Sequence, residues 1–392
     1  MLPSKHGFLP AVVPNFDLGP GFARYVLIAD IMYLHYDGSP FEFRTWLQQQ
    51  LEEVDIQAVA RDMETWDAFQ KRCGLVPLSF LAHAYRWGTS NPPPEIYAEK
   101  EVELPMKLEA PLEVLCDELR IPVGGSITQL FLYNWTLPGH QGGQEYSDAD
   151  LSVRTMRPRF HFTKDAELQR AETAVFHSVI LTESASTQLC RQAIRLFHAV
   201  NAGTAGRVAA ADSLERISDA LKQLLSIFHT IFRQEHISVS AWTNHLQPFY
   251  GAITPEGKGV GGLQLPWVHC TDALFAISLD DTIGKLAMEN RAYMLPEERS
   301  FVSYLETHNQ PLLMYLAKTG AESDVAKVFR ACINTLVQWR ATHRSRAVPY
   351  LQPPDNLVRQ STGKLVTIVL RRQRPGQLIP GTTETSGHGI AF

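Results

Sequence analysis

The sequence predicts a mainly α-helical fold, and three observations carry that expectation. Two long runs place apolar residues at spacings of three and four, proline or glycine punctuates their ends, and alternating strand patterns are scarce. No self-similarity recurs at a period of roughly 20 to 50 residues, which removes solenoids and propellers. At 392 residues the chain can hold one large domain or two of ordinary size, each with a substantial core.

Taken in chain order, residues 1–150 mix helical patterning with prolines at Pro92, Pro93, Pro94, Pro105, Pro111 and Pro122. The stretch PGHQGGQEYSDAD, from Pro138 to Asp150, is glycine-rich and polar and reads as a linker. The expected division is therefore a smaller, mostly helical N-terminal domain over 1–150 and a large all-α domain over 151–392. After Asp212, with Glu215 three positions on as in a capping box, Leu214, Ile217, Leu221, Leu224, Phe228 and Ile231 draw one apolar stripe. A long amphipathic helix is expected to start there. In WVHCTDALFAISL, Val268, Asp272, Phe275 and Leu279 recur at helical spacing. Another stripe begins near Val325 and runs through Phe329, Cys332, Leu336, Arg340, His343 and Ala347, until Pro349 and the Pro353-Pro354 pair end it. The segment TGKLVTIVLRR, 362–372, alternates in part but has no evident partner strand. From Arg371 onward Gly376, Gly381, Gly387 and Gly389, with Thr382 and Thr383 among them, read as a mobile loop or tail.

Apolar residues make up 45% and charged residues 20%, so composition gives no reason to expect disorder. A net charge of -5 argues against a nucleic-acid partner, because phosphate binding needs a concentrated basic surface. The N-terminus lacks a basic region followed by an apolar stretch, and no run approaches the roughly 20 apolar residues of a membrane helix. No membrane partner and a cytoplasmic address are the default expectations. The five cysteines, Cys73, Cys116, Cys190, Cys270 and Cys332, are odd in number and scattered, which suits reduced, packed thiols. H-E-x-x-H, Walker A and G-x-S-x-G motifs are absent, and GKGVGG at 257–262 follows no strand, so it does not fit a dinucleotide turn.

The chemistry is expected on the last stripe. Arg340 and His343 lie three residues apart on the face that carries Phe329, Leu336 and Ala347, so a cation and an imidazole point inward. A buried Arg without a carboxylate costs on the order of several kcal/mol, so a partner is required. Asp272, itself on an apolar stripe, is the candidate. Periodicity alone leaves a second reading open, in which Arg340 reaches solvent and His343 is a hydrogen-bonded core histidine.

The segment FRACINTLVQWRATHRSRAVPYL, 329–351, resembles the proximal haem helix of the indoleamine 2,3-dioxygenases, an apolar helix with R-x-x-H and then an aromatic near its end. Similarity extends through GFLPAVVP at the start, HAYRWG at 83–88, LYNW at 132–135, MLPEERSFVSYLE at 294–306 and GTT at 381–383. The resemblance implies a large helical haem domain of that type and a haem b held without covalent attachment; there is no C-x-x-C-H. It makes His343 the iron ligand and pairs Arg340 with Asp272, two positions after Cys270. It also places Gly261 and Gly262 at the haem edge and Thr382 in a loop over the site. The substrate pocket it implies is lined by Leu130, Phe131, the run from Val175 to Val179 with Phe176, and Trp242 and Thr243. His177 and Ser178 are the polar candidates beside bound oxygen.

The activity so implied is dioxygenation of the C2-C3 bond of an indole substrate, tryptophan or a derivative, with O2 as co-substrate and an electron donor keeping the iron ferrous. One position departs from the pattern. Where the family carries an arginine that clamps the amino-acid carboxylate, this chain has Gln247, with His245, Arg233 or Thr382 as possible substitutes. Two alternatives stay open: a haem monooxygenase or ring-rearranging enzyme of secondary metabolism, and a non-catalytic haem-binding or gas-sensing protein. Oligomeric state is not legible.

Overall fold

The computed structural model describes residues 2–351, apart from 100–101, 255–256, 278–280 and 321–322. The partly alternating segment at 362–372 and the expected Gly/Thr loop with Thr382 lie outside the described residues. Six helices come first: α1 (Ala23–Ile31), α2 (Pro40–Glu52), α3 (Ile56–Glu64), α4 (Ala68–Trp87), α5 (Pro94–Ala98) and α6 (Met106–Glu118). Their starts are written in local chemistry. Ser39 and Glu42 close a capping box on α2 with Pro40 in its first turn, and Asp67 with Gln70 do the same on α4. Helix α4 is apolar almost all round from Leu75 to Trp87 and forms the axis of the first core. It stops at Gly88, whose φ of +70° and close approach to Pro40 leave no room for a Cβ.

A two-residue antiparallel pair, β1 (Trp135–Thr136) with β2 (Arg157–Pro158), sets Trp135 opposite Pro158. Between them the glycine-rich stretch is tied to the N-terminal segment. Gly143 N–H donates to Val13 O at 2.8 Å, Val13 N–H to Gln144 O at 2.9 Å, and Tyr146 OH to Pro10 O at 2.6 Å.

The second half is helical, as the stripes predict: α7 (Ala166–Asn201), α8 (Arg207–Ile231), α9 (Val239–Ala241), α10 (Gln247–Phe249), α11 (Pro266–Leu274), α12 (Asp281–Arg291), α13 (Pro296–Thr319) and α14 (Asp324–Ala347). One boundary differs from expectation. Helix α8 begins at Arg207, not after Asp212; Asp212 sits inside it and pairs with Arg216 at 3.1 Å, one turn on. The apolar stripe already includes Ala210, so the D-x-x-E pattern falls within a helix under way and its carboxylate serves a surface pair. Helix α11 ends earlier than its stripe suggests, because Ala276 adopts φ +49° and turns the chain; Leu279 lies outside the described residues.

Two apolar cores result. The first gathers α1 to α6, the opening turns of α7 as far as Ile180, and residues 237–253 with Tyr350. The second gathers the rest of α7 with α8, α11, α13 and α14. Helix α7 runs through both, and α14 passes from Trp339 in the second core towards Tyr350 in the first. His343 lies between those two aromatics, at the seam. Among the described residues no helix is long and apolar enough to cross a membrane.

Candidate functional site

Helix α14 buries Phe329, Cys332, Leu336 and Trp339, and the same face then presents Arg340 and His343. The Arg340 guanidinium donates to the Asp272 carboxylate from α11, and the two side chains keep only 10% and 12% exposure. Burial raises the Asp272 carboxyl while Arg340, and beyond it Arg291, pull it down. The ion pair expected from buried charge is present. It pins α14 to α11 one helical turn before the imidazole.

His343 packs against Phe228, with ring centroids 4.7 Å apart, and against Trp339 at 5.5 Å. Burial pushes its pKa down to about 3, with a smaller contribution from His229. The ring is therefore neutral at physiological pH and keeps a lone pair for a metal. Yet the residue retains accessible surface.

Aromatic rings continue from it. Phe228 stacks on Phe232 at 5.3 Å, Phe232 meets Trp242 at 6.2 Å and Tyr350 at 5.2 Å, and Tyr350 fixes its hydroxyl on Ile237 O at 2.7 Å. Trp242 opens a π-helix, Trp242–Leu246, which runs straight into α10. A second π-helix, Thr128–Leu132, carries Leu130 and Phe131. Tyr250, just after α10, joins them by resting 5.2 Å from Phe131. Such wide turns are well under 1% of residues in globular proteins and concentrate at functional sites. Both of those described here fall on residues expected to line a substrate pocket.

The polar candidates are mostly engaged with backbone. His177 Nε2 lies 3.1 Å from Met156 O, and burial lowers its pKa. The Ser178 hydroxyl donates to Val175 O at 2.7 Å and that of Thr243 to Val239 O at 2.9 Å. Phe176 is buried beside His177. Gln247 is half-buried, with its Oε1 buried and without a hydrogen-bond partner. Of its expected substitutes, His245 is held 3.0 Å from Ser90 O and burial lowers its pKa, while Arg233 donates to His229 O at 2.8 Å.

Gly261 faces open space, where a Cβ would meet nothing within 4 Å, and Gly262 starts a short turn ending at Gln264. Gln264 was not singled out by the sequence, and nothing in its surroundings there marks it. Its buried amide accepts from Ile127 N–H and donates to Gly125 O and Gly259 O, binding this loop to the lead-in of the first π-helix. Phe232 was missed as well, and Tyr350 entered only as the aromatic near the end of the 329–351 segment. An aromatic at the end of each of two packed helices was the available signal.

The donor set suits a haem better than a bare ion. Among the described residues no three His, Cys, Asp or Glu side chains are grouped to share a metal, so iron at His343 would take one protein nitrogen, with a porphyrin supplying the rest. The neutral ring, its remaining accessible surface and the bare Gly261 edge all fit that group.

Compared with known proteins, residues 2–261 match the family model of indoleamine 2,3-dioxygenase. The chain belongs to the indoleamine 2,3-dioxygenase family. A relative is the indoleamine 2,3-dioxygenase of Saccharomyces cerevisiae, 22% identical over 317 residues, which cover 73% of this chain. That span is 66% of the yeast protein, just under two thirds of its length. The family match takes in both π-helices, Gln247 and the Val175–Val179 run; Asp272, Arg340 and His343 lie beyond it and rest on their own geometry.

Proposed function

We propose that this protein holds a non-covalent haem b through His343 and adds dioxygen to the ring of an indole-like aromatic substrate. The observation that supports this reading is an imidazole that is neutral, surrounded by protein and still accessible, on a helix anchored by a buried ion pair. When bound, the haem supplies a ferrous centre able to carry O2 to an electron-rich ring, given an electron donor.

The chain's own part is placement and dryness. His343 would hold the iron of that group through one neutral nitrogen. Asp272 and Arg340 set the pitch of the helix that carries it. Leu130, Phe131, Phe176 and Trp242 give flat or apolar faces for a planar ring and exclude water. Because Ser178 and Thr243 spend their hydroxyl protons on backbone, these two offer the substrate shape more than charge.

Gln247 favours a narrower substrate reading. A neutral amide with an unsatisfied acceptor stands there, and Arg233 and His245 are turned to backbone carbonyls, which suits an indole derivative without a free carboxylate better than tryptophan. The test is haem loading followed by turnover of the ferrous protein on a panel of indoles under isotopically labelled dioxygen. A haem absorption band and two labelled atoms in the product are expected. One labelled atom would move the reading to a monooxygenase, and the absence of haem binding would overturn it.

A further inference from the structure

One buried group beside His343 has no use in the chemistry above. His229 lies in the last turn of α8, half-buried, and its Nδ1 is buried without a hydrogen-bond partner. Its carbonyl accepts from Arg346 Nη1 at 2.7 Å and from Arg233 Nε at 2.8 Å. Arg346 stands three residues past His343, so the first of these bonds fixes the end of α8 against the turn of α14 that carries His343. Phe228, the preceding residue, rests its ring 4.7 Å from the imidazole of His343. Burial, and then Arg346 and Arg233, lower the pKa of His229, which keeps it neutral. A neutral imidazole has one donor and one acceptor nitrogen. A buried polar atom left unsatisfied is unfavourable, which calls for a donor to arrive.

We propose that His229 is a positioning residue for His343, its Nδ1 accepting a hydrogen bond from the His343 nitrogen that does not face the metal. The inference rests on the haem reading above. An imidazole that binds iron through one nitrogen presents N–H at the other, and the acceptor of that N–H fixes the ring's orientation and how much electron density it gives to the metal. His229 then acts on the iron without touching it.

The test uses full-length, haem-loaded protein in the oxygen-free ferrous state, read by the iron–histidine stretching band in resonance Raman spectra and by the reduction potential. His229→Phe keeps a flat ring and removes the acceptor; a lower stretching frequency and a higher potential are expected. His229→Asn returns an acceptor at similar reach and is expected to restore most of both. If the Phe variant leaves band and potential where they were, the inference is overturned. It is equally overturned if both variants lose haem and thermal stability in parallel with the band unmoved, because that is a structural role alone. A wild-type protein with no iron–histidine band, or a band that survives His343→Ala, instead overturns the haem reading itself.

Discussion

The two expected walls of the proposed site are built in opposite ways. On the α14 and α11 side charge is paired between side chains: Arg340 with Asp272, with Arg291 close behind. On the side of the two π-helices and the start of α7, Ser178, His177 and Thr243 turn their polar atoms to backbone carbonyls. The first arrangement costs desolvation and holds one imidazole in a fixed place. The second leaves an apolar surface whose outline comes from wide helical turns. Under the proposed function, the first wall would set what chemistry is available and the second what can lie against it.

Substitutions on the first wall are expected to have the largest effects. His343→Ala should abolish the haem absorption band and reduce any oxygenase activity by at least about a hundredfold, since the single protein nitrogen is gone; absorption titration with haem checks this. Asp272→Ala strands a buried guanidinium and should cost roughly 3–5 kcal/mol of stability, read by denaturant unfolding, with weaker haem retention alongside. An unchanged midpoint would remove the claim that this wall depends on the ion pair.

A buried acid held by a backbone N–H sharpens the same contrast. Glu298, in the first turn of α13, is buried, and burial pushes its carboxyl up to about 8 from 4.5 although Leu295 N–H, Arg72 and Arg299 pull it down. Its folded pKa lies above the unfolded value, so its contribution is fully present below about pH 4.5 and is lost as pH rises through about 8. Stability should fall by a few kcal/mol across that window, in order of magnitude. Glu298→Gln should flatten the fall, as measured by thermal unfolding from pH 4.5 to 8.5. On the second wall, Trp242→Ala should raise the KM for an indole substrate by roughly ten- to a hundredfold, with a smaller effect on haem content. The least effect belongs to Thr243→Val, about 1 kcal/mol or less in stability and near-normal turnover, since its hydroxyl serves only Val239 O.

The same contrast explains what the sequence revealed. Arg340 and His343 stood out because polar residues on an apolar stripe break a pattern, and the cost of burying a cation called for a carboxylate, with Asp272 the candidate; the ligand role of His343 came from the family resemblance. The helical fold was legible for the same reason, from the stripes of α8 and α14. The second wall leaves no such trace. A single π-turn leaves little mark on the period of a helix, and Thr128–Leu132 and Trp242–Leu246 look like ordinary helical sequence. Leu130, Phe131, Trp242 and Thr243 were named through the family resemblance alone. Gln264 escaped both routes, because an amide bridging three backbone groups has no local signature. The start of α8 was misplaced because D-x-x-E signals a cap only where the chain is not already helical.

Helix α7 has a consequence for how this molecule comes apart. At 36 residues it is roughly 54 Å of unbroken rod, and each core claims one stretch of it. Melting either core would strip one length of that rod of its packing and fray the remainder. The protein is therefore expected to give one calorimetric transition, with damage far from His343 registering as a lower melting temperature for the whole.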